Sequence, residues 1–296
     1  MKPAPVNDNL KKALGEFLKR DVTVLLNRGN RGDGVIHMGA RQLFSDVGLV
    51  VREVRERAVG SDLEGDVLLV LGGGAFARGT HTLAHLVPRL APRFRQIVIL
   101  PASFDLDSGP VRRFAMSWGP KYTVWCRELV SFDRLRGSGA TPQAILLGHD
   151  LAFHADLSPW AQRPNSGVVG IFRRDNEASF SALPSGLEIH DASHGTEQEA
   201  ERLLDYISRF SAIHTDRCHA AITAAMMGRD VRFYRNSYFK NQAIYDQSLS
   251  QYPNIAFERT SSFSLRQFVR ATYWSRIRPL EMKLRSRILR QNREPA

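Results

Sequence analysis

Cysteine is scarce in this chain: only Cys126 and Cys218 occur in 296 residues, far apart and without metal-ligand partners at motif spacing. That argues against a disulfide framework, leaves no metal site legible in the sequence, and makes a reducing cytoplasm the expected setting. Long hydrophobic runs are also missing. The longest, near residues 67–71, runs straight into Gly72-Gly73-Gly74, far short of the roughly 20 apolar residues that span a bilayer. Residues 1–21 are polar and contain lysines but no apolar core of signal-peptide length, so no secretory signal is expected. Internal repeats and low-complexity segments are absent. With 43% hydrophobic and 24% charged residues, the chain belongs to the soluble globular class and is long enough for two cores.

Acidic residues are in deficit, 30 against 41 Lys and Arg, for a net charge of +11. An excess of that size suggests a polyanionic partner: nucleic acid, an anionic membrane or a phosphorylated substrate. Part of it is local. Nine Lys and Arg lie between Arg266 and Arg293, Arg259 stands just before them, and Glu281 is the one acid among them. No nucleic-acid recognition motif accompanies the charge, so no nucleic-acid partner is expected. The apolar positions Leu265, Phe268, Val269, Tyr273 and Ile277 recur at helical spacing. The tail therefore reads as basic helices over 263–296, broken at Pro279, that either pack on the body or rest on anionic lipid.

Short apolar runs alternate with helical patterns. Strands are expected at 22–26, 66–71, 97–100, 122–125, 144–147, 167–172, 212–214 and 231–234. Helices are expected at 33–44, 80–90, 127–135, 197–209, 217–227 and 242–249. Continuous apolar strands alternating with helices predict parallel sheets covered on both faces. Composition shifts over 155–166, where Pro159, Pro164 and Asn165 cluster, and the pattern restarts at 167. The expected fold class is α/β, with two Rossmann-like domains facing a cleft: residues 1–155, then 166–262, followed by the basic tail.

Five segments sit where such sheets bind ligands. Asn27-Arg28-Gly29-Asn30-Arg31-Gly32-Asp33-Gly34 follows the first strand. Its glycines allow close approach, and the next helix offers N–H groups to an anion; read alone, it is equally a strand-to-helix turn capped by Asp33. Gly72-Gly73-Gly74 ends a buried strand and suggests something passing close to the backbone, or else a plain loop. Arg173 and Arg174 end the strand at 167–172, where guanidinium groups suit a carboxylate or phosphate, or simply face solvent. Arg217 and His219 open a helix after the capping pair Thr215-Asp216. There, one cation and one imidazole can hold an acidic substrate and move a proton, though a lone histidine is more often structural. Tyr234 to Asn241 is polar, aromatic and basic, and Lys240 can contact phosphate if the loop is not merely solvated.

Taken in order, these segments resemble the polysaccharide pyruvyl transferase family over about residues 20–250. The family's glycine-rich asparagine loop is similar to Gly29-Asn30-Arg31-Gly32-Asp33, and its Gly-Gly-Gly strand end to Gly72-Gly73-Gly74. Its Arg-Glu-x-x-Ser element resembles Arg127 to Ser131, and its Asp-x-Ala-Phe element resembles Asp150 to Phe153. The most specific match is Thr215-Asp216-Arg217-Cys218-His219-Ala220-Ala221, followed by Asn236-Ser237-Tyr238-Phe239-Lys240-Asn241. Cys218 replaces the usual leucine, Leu100-Pro101-Ala102-Ser103 replaces a Pro-Gln-Ser element, and the chain is short for the family.

The resemblance implies a GT-B-like fold, phosphoenolpyruvate as donor, a pyruvate ketal on a bacterial exopolysaccharide sugar as product, and no cofactor beyond that co-substrate. It associates Arg217 and His219 with the donor. On this basis His219 is the expected general acid and Arg217 the anion clamp. Arg173, Arg174, Lys240, Asn236 and Ser237 complete the donor site, and Asp33 orients or deprotonates an acceptor hydroxyl. Gly32, Gly72, Gly73 and Gly74 form the cleft backbone. A lipid-linked acceptor and peripheral contact with an anionic membrane would fit the basic tail. Two other functions share this architecture: a nucleotide-sugar glycosyltransferase, and a non-catalytic glycan- or membrane-binding module.

Overall fold

A strand that is apolar at every position is buried on both faces, as in a parallel sheet with helices above and below it. Val22–Leu26 (β1) is such a strand. The computed structural model describes residues 7–60, 63–77, 82–175, 177–178 and 186–258. In it, β1 joins Arg52–Arg55 (β2), Gly65–Val70 (β3), Gly73–Phe76 (β4), Phe94–Phe104 (β5), Tyr122–Cys126 (β6) and Ala144–Leu147 (β7). These strands form a parallel sheet ordered β2-β1-β3-β5-β6-β7, with β4 alongside β5. A second parallel sheet, ordered β12-β11-β10-β8-β9, contains Val168–Ile171 (β8), Ile189–His190 (β9), Ala212–Thr215 (β10), Asp230–Tyr234 (β11) and Ile255–Glu258 (β12).

All the expected strands are present, and the fold is α/β with parallel sheets. Four strands were not expected: β2 is the charged, largely exposed edge sequence Arg-Glu-Val-Arg, β4 begins with two of the three glycines, β9 has only two residues, and β12 is the short edge sequence Ile-Ala-Phe-Glu. In each sheet the strand order reverses beside one strand. β1 lies between β2 and β3, and β8 lies between β9 and β10. Such a reversal leaves a crevice at the carboxyl ends of the strands. In the first sheet Asn27 and Gly72 flank it, and in the second Arg173 and Asp216 do.

The helices are Asp8–Gly15 (α1), Arg31–Val47 (α2), Thr82–Leu90 (α3), Gly109–Met116 (α4), Leu129–Arg136 (α5), Ser158–Ala161 (α6), Ala200–Ser208 (α7), Cys218–Met226 (α8) and Lys240–Gln247 (α9). Helix α2 connects the two sheets. Its Val35, Ile36, Ala40 and Leu43 belong to one apolar cluster with Val24 and Leu69 of the first sheet, Leu203 and Leu204 of α7, and Ala220 and Ala221 of α8. A second cluster, rich in stacked aromatics such as Phe76, Phe104 and Phe114, covers the opposite face of the first sheet.

The close packing of α2 depends on glycine. A Cβ at Gly39 would lie 1.9 Å from the Leu151 carbonyl oxygen, and one at Gly34 would lie 2.0 Å from that of Glu197. Both obstacles are backbone, so the helix itself must move. Gly39→Ala is therefore expected to destabilise the fold by about 3 kcal/mol, at the upper end of overpacking costs. A urea midpoint equal to wild type would contradict this packing.

Residues 155–166, expected as a linker, contain α6 and are tied down. Trp160 Nε1 and Arg163 both donate to Asp205 of α7, at 2.9 and 2.6 Å. Arg229 donates to the carbonyls of Trp160, Ala161 and Ser208. The helices expected over 263–296 lie outside the described residues. Among the described residues no helix is long and apolar enough to cross a membrane.

Candidate active site

Residues from the carboxyl ends of both sheets line one cavity of about 300 Å³. The first half contributes Asn27 to Asn30, Gly32, Asp33, Gly74 and Arg127; the second contributes Arg173, Asp175, Glu177, Ser193, Arg217 to His219, and Lys240. The structure thus brings together Asp33, Arg173, Arg217, His219 and Lys240, which are far apart in the chain. Arg174, which is exposed, does not line the cavity, and neither do Asn236 and Ser237. The Ser237 N–H donates to the Glu177 carbonyl at 3.1 Å, and Asn236 Oδ1 accepts from the Asn241 N–H at 3.4 Å.

The glycine-rich loop after β1 differs from expectation in its cap and in its N–H groups. The N-cap of α2 is Asn30, and Asp33 is its capping-box partner, accepting from the Asn30 N–H at 2.9 Å. The helix therefore begins at Arg31, two residues before the expected start. The loop N–H groups that were expected to face an anion are taken by protein oxygens: Arg28 by Glu56, Gly29 by Glu197, Arg31 by the Ser193 carbonyl and Gly32 by Asn30.

Helix α8 is arranged differently. Its N-cap, Arg217, makes no side-chain cap, and Cys218 and His219 of its first turn line the cavity. This helix end, with its partial positive charge, suits an anion.

The three glycines serve three purposes. A Cβ at Gly72 would lie 2.4 Å from the Leu100 carbonyl oxygen, so the element passing close to the backbone is the neighbouring strand. Gly73 has φ +62°, and a Cβ there would meet Ile36. Gly74 has open space around it and lines the cavity.

Arg217, Arg173 and Lys240 are all paired with carboxylates. Arg217 uses Nε and one terminal nitrogen on Asp191, at 3.1 and 2.7 Å, and Nη1 on Asp175 at 3.0 Å. Arg173 grips Asp175 through Nε and Nη2, at 2.8 and 3.1 Å, and Glu177 through Nη2 at 2.7 Å. Lys240 Nζ lies 2.6 Å from Glu177. Burial pushes the Asp175 carboxyl up, but Arg173 and Arg217 outweigh it and hold it at about 2. Glu177 is likewise held low, against burial, by Lys240 and Arg173.

His219 is largely buried at the base of the cavity. Its Nε2 lies 3.7 Å from Asp150 Oδ2, and a Cβ at Gly32 would come within 2.8 Å of its Nδ1. Behind it, Arg127 and Asp150 form a fully buried ion pair at 2.5 Å. Burial disfavours the Asp150 charge, but Arg127 and His219 hold its carboxyl well below the usual carboxylate range. Arg127 Nε also donates to Ser103 Oγ at 2.9 Å, so the serine of the divergent Leu100-Pro101-Ala102-Ser103 element positions this arginine.

Arg127, Asp150, Asp175, Glu177 and Asp191 also belong to the site, with no role assigned to them by residue type or spacing. Arg127 and Asp150 stand in the segments that carried the family resemblance, which was the available signal. Nothing in the spacing marked Asp191.

Asp216 gives a pH-dependent prediction. Burial pushes its carboxyl up to about 6 despite Arg173 and Arg217, and its Oδ1 accepts from the Arg173 N–H at 2.8 Å. The folded state thus keeps a proton that an unfolded aspartate releases near pH 3.9. That stabilisation is complete below about pH 4 and is lost as pH rises through 6. Asp216→Asn keeps the acceptor oxygen and cannot ionise. Its unfolding free energy is expected to lack a fall on the order of 3 kcal/mol between about pH 4 and 7 that the wild type shows. Equal slopes in urea titrations at several pH values would refute this.

A family model described as polysaccharide pyruvyl transferase matches residues 30–238, more than half of the chain. No curated protein matches. The fold is similar to a functionally uncharacterised protein of Klebsiella pneumoniae subsp. pneumoniae, with 23% identity and a TM-score of 0.69, over 86% of this chain and all of that one.

Proposed function

The chain belongs to the polysaccharide pyruvyl transferase family, and on that premise we propose that it transfers a pyruvyl group from phosphoenolpyruvate to a sugar of a bacterial exopolysaccharide, forming a pyruvate ketal. The observation that carries this reading is the convergence of Arg173, Arg217, Lys240 and the first turn of α8 on one cavity with His219. Two arginines and a lysine suit a small ligand bearing both a carboxylate and a phosphate.

Ketal formation begins with a proton delivered to the donor's methylene carbon, which makes the neighbouring carbon electrophilic. One sugar hydroxyl adds there and gives up its proton. The carbon–oxygen bond to phosphate breaks, and a second hydroxyl closes the ring with loss of its own proton, leaving inorganic phosphate. His219 is the general acid and Arg217 the anion clamp, with Arg173 and Lys240 beside it. Asp33, which lines the opposite wall, orients or deprotonates an acceptor hydroxyl with the carboxylate oxygen not bonded to Asn30. The half over 1–155 is the acceptor side and that over 166–262 the donor side. A lipid-linked acceptor would bring the chain to an anionic membrane surface.

Purified protein incubated with phosphoenolpyruvate and saccharide fractions from its host should release inorganic phosphate and add a pyruvyl mass to the glycan. Thermal stabilisation by nucleoside diphosphates but not by phosphoenolpyruvate would favour a nucleotide-sugar glycosyltransferase. No turnover with any donor would favour a binding module.

A further inference from the structure

The three carboxylates that hold Arg173, Arg217 and Lys240 are not equivalent. Asp191 takes the outer edge of Arg217 in a two-pronged contact and is only 11% exposed, so it sets the direction in which the guanidinium points. Glu177 is 14% exposed and is fastened by Lys240, by Tyr238 Oη at 3.3 Å and through its carbonyl by the Ser237 N–H. Asp175 is 43% exposed, and its two oxygens bridge Arg173 and the remaining nitrogen of Arg217. A planar carboxylate gripped by two guanidinium groups is also the geometry a substrate carboxylate or phosphate would adopt there.

The charge around the site is balanced. The five cationic side chains lining the cavity are Arg28, Arg127, Arg173, Arg217 and Lys240; three lining carboxylates match them, with Asp150 and Asp191 directly behind. A ligand with several negative charges gains little from Arg127, Arg173, Arg217 and Lys240 while each is engaged by a carboxylate, but it gains a bridging contact if one internal carboxylate withdraws.

We infer that Asp175 is the resident counter-ion of this anion site, its carboxylate holding the place between Arg173 and Arg217 that an anionic group of the ligand takes. This rests on reading the cavity as the donor site. The exchange selects for ligands that can span both arginines. A neutral group cannot replace Asp175, whereas a carboxylate or phosphate can.

Isothermal titration of the full chain with phosphoenolpyruvate, and separately with inorganic phosphate, tests the exchange without requiring turnover. Asp175→Asn keeps an oxygen for the Glu177 N–H, now at 3.0 Å, and removes the charge. It is expected to bind both anions roughly tenfold more tightly than wild type, the scale of one partly buried charged hydrogen bond. Asp191→Asn loosens the arginine that receives the ligand and is expected to weaken both by a similar factor. If Asp175→Asn does not fold, Asp175→Ser also offers an oxygen to that N–H and carries the same expectation. Unchanged or weaker binding in the Asp175 variant overturns the inference, as does a wild-type chain that binds neither anion. Tighter phosphate binding in a protein that never pyruvylates a glycan upholds the counter-ion and sinks only the donor assignment.

Discussion

His219→Gln is expected to lower kcat for pyruvyl transfer by about 10²–10⁴, the usual contribution of a positioned general acid. The KM for phosphoenolpyruvate should change far less, because the proposed anion contacts come from Arg173, Arg217 and Lys240. Glutamine keeps the length and polarity of the side chain but cannot deliver a proton at this position. The histidine is held by structure: it is in the first turn of α8, its ring packs against Gly32 of α2, and its Nε2 lies 3.7 Å from Asp150. Gly32→Ala supplies an independent check. The added Cβ would come 2.8 Å from Nδ1 and 2.9 Å from Cβ of His219, so it displaces the imidazole without altering any charge. Loss of kcat in both variants, with anion binding retained, places the chemistry on the ring. Near wild-type turnover in His219→Gln removes His219 from the mechanism.

The strands were legible because burial on two faces leaves a continuous apolar run that few other structures produce, as β1 and β3 illustrate. The crevices were legible for the same reason, since the segments following those strands must lie at their carboxyl ends. Charge pairing was not. Asp175 is two residues from Arg173 in sequence, yet nothing in the spacing revealed that it also reaches Arg217, which follows a different strand. Asp191 follows the two-residue strand β9, too short to leave a pattern. The helix end proposed for the anion was also ambiguous, because α2 and α8 both begin after a polar turn. What separates them is that Asn30 and Asp33 cap each other in α2, while no side chain caps α8. A capping box can be read from sequence, but whether it leaves any N–H free depends on partners such as Glu197 and Ser193 that arrive from more than 150 residues away.

The buried pair beneath the cavity sets the second large effect. Asp150→Ala is expected to destabilise the protein by about 3–5 kcal/mol, and Arg127→Met by a similar amount, because each leaves the other charge desolvated without its partner. Removing both should cost much less than the sum, since neither charge of the pair is left without its partner. The loss in Asp150→Ala also includes the Ala152 N–H, now bonded to Asp150 Oδ1 at 2.8 Å, and that in Arg127→Met the contact to Ser103. Those smaller terms recur in the double variant and do not enter the coupling. Arg127 and His219 hold the Asp150 carboxyl below its ordinary range. The pair's contribution is therefore complete above about pH 4 and fades only as pH falls toward the depressed value, so a cycle run at neutral pH reads it in full. Urea unfolding of the wild type, both single variants and the double variant yields the coupling. Strict additivity would show that Arg127 and Asp150 are stabilised independently, and the base on which His219 rests would then need a different physical account.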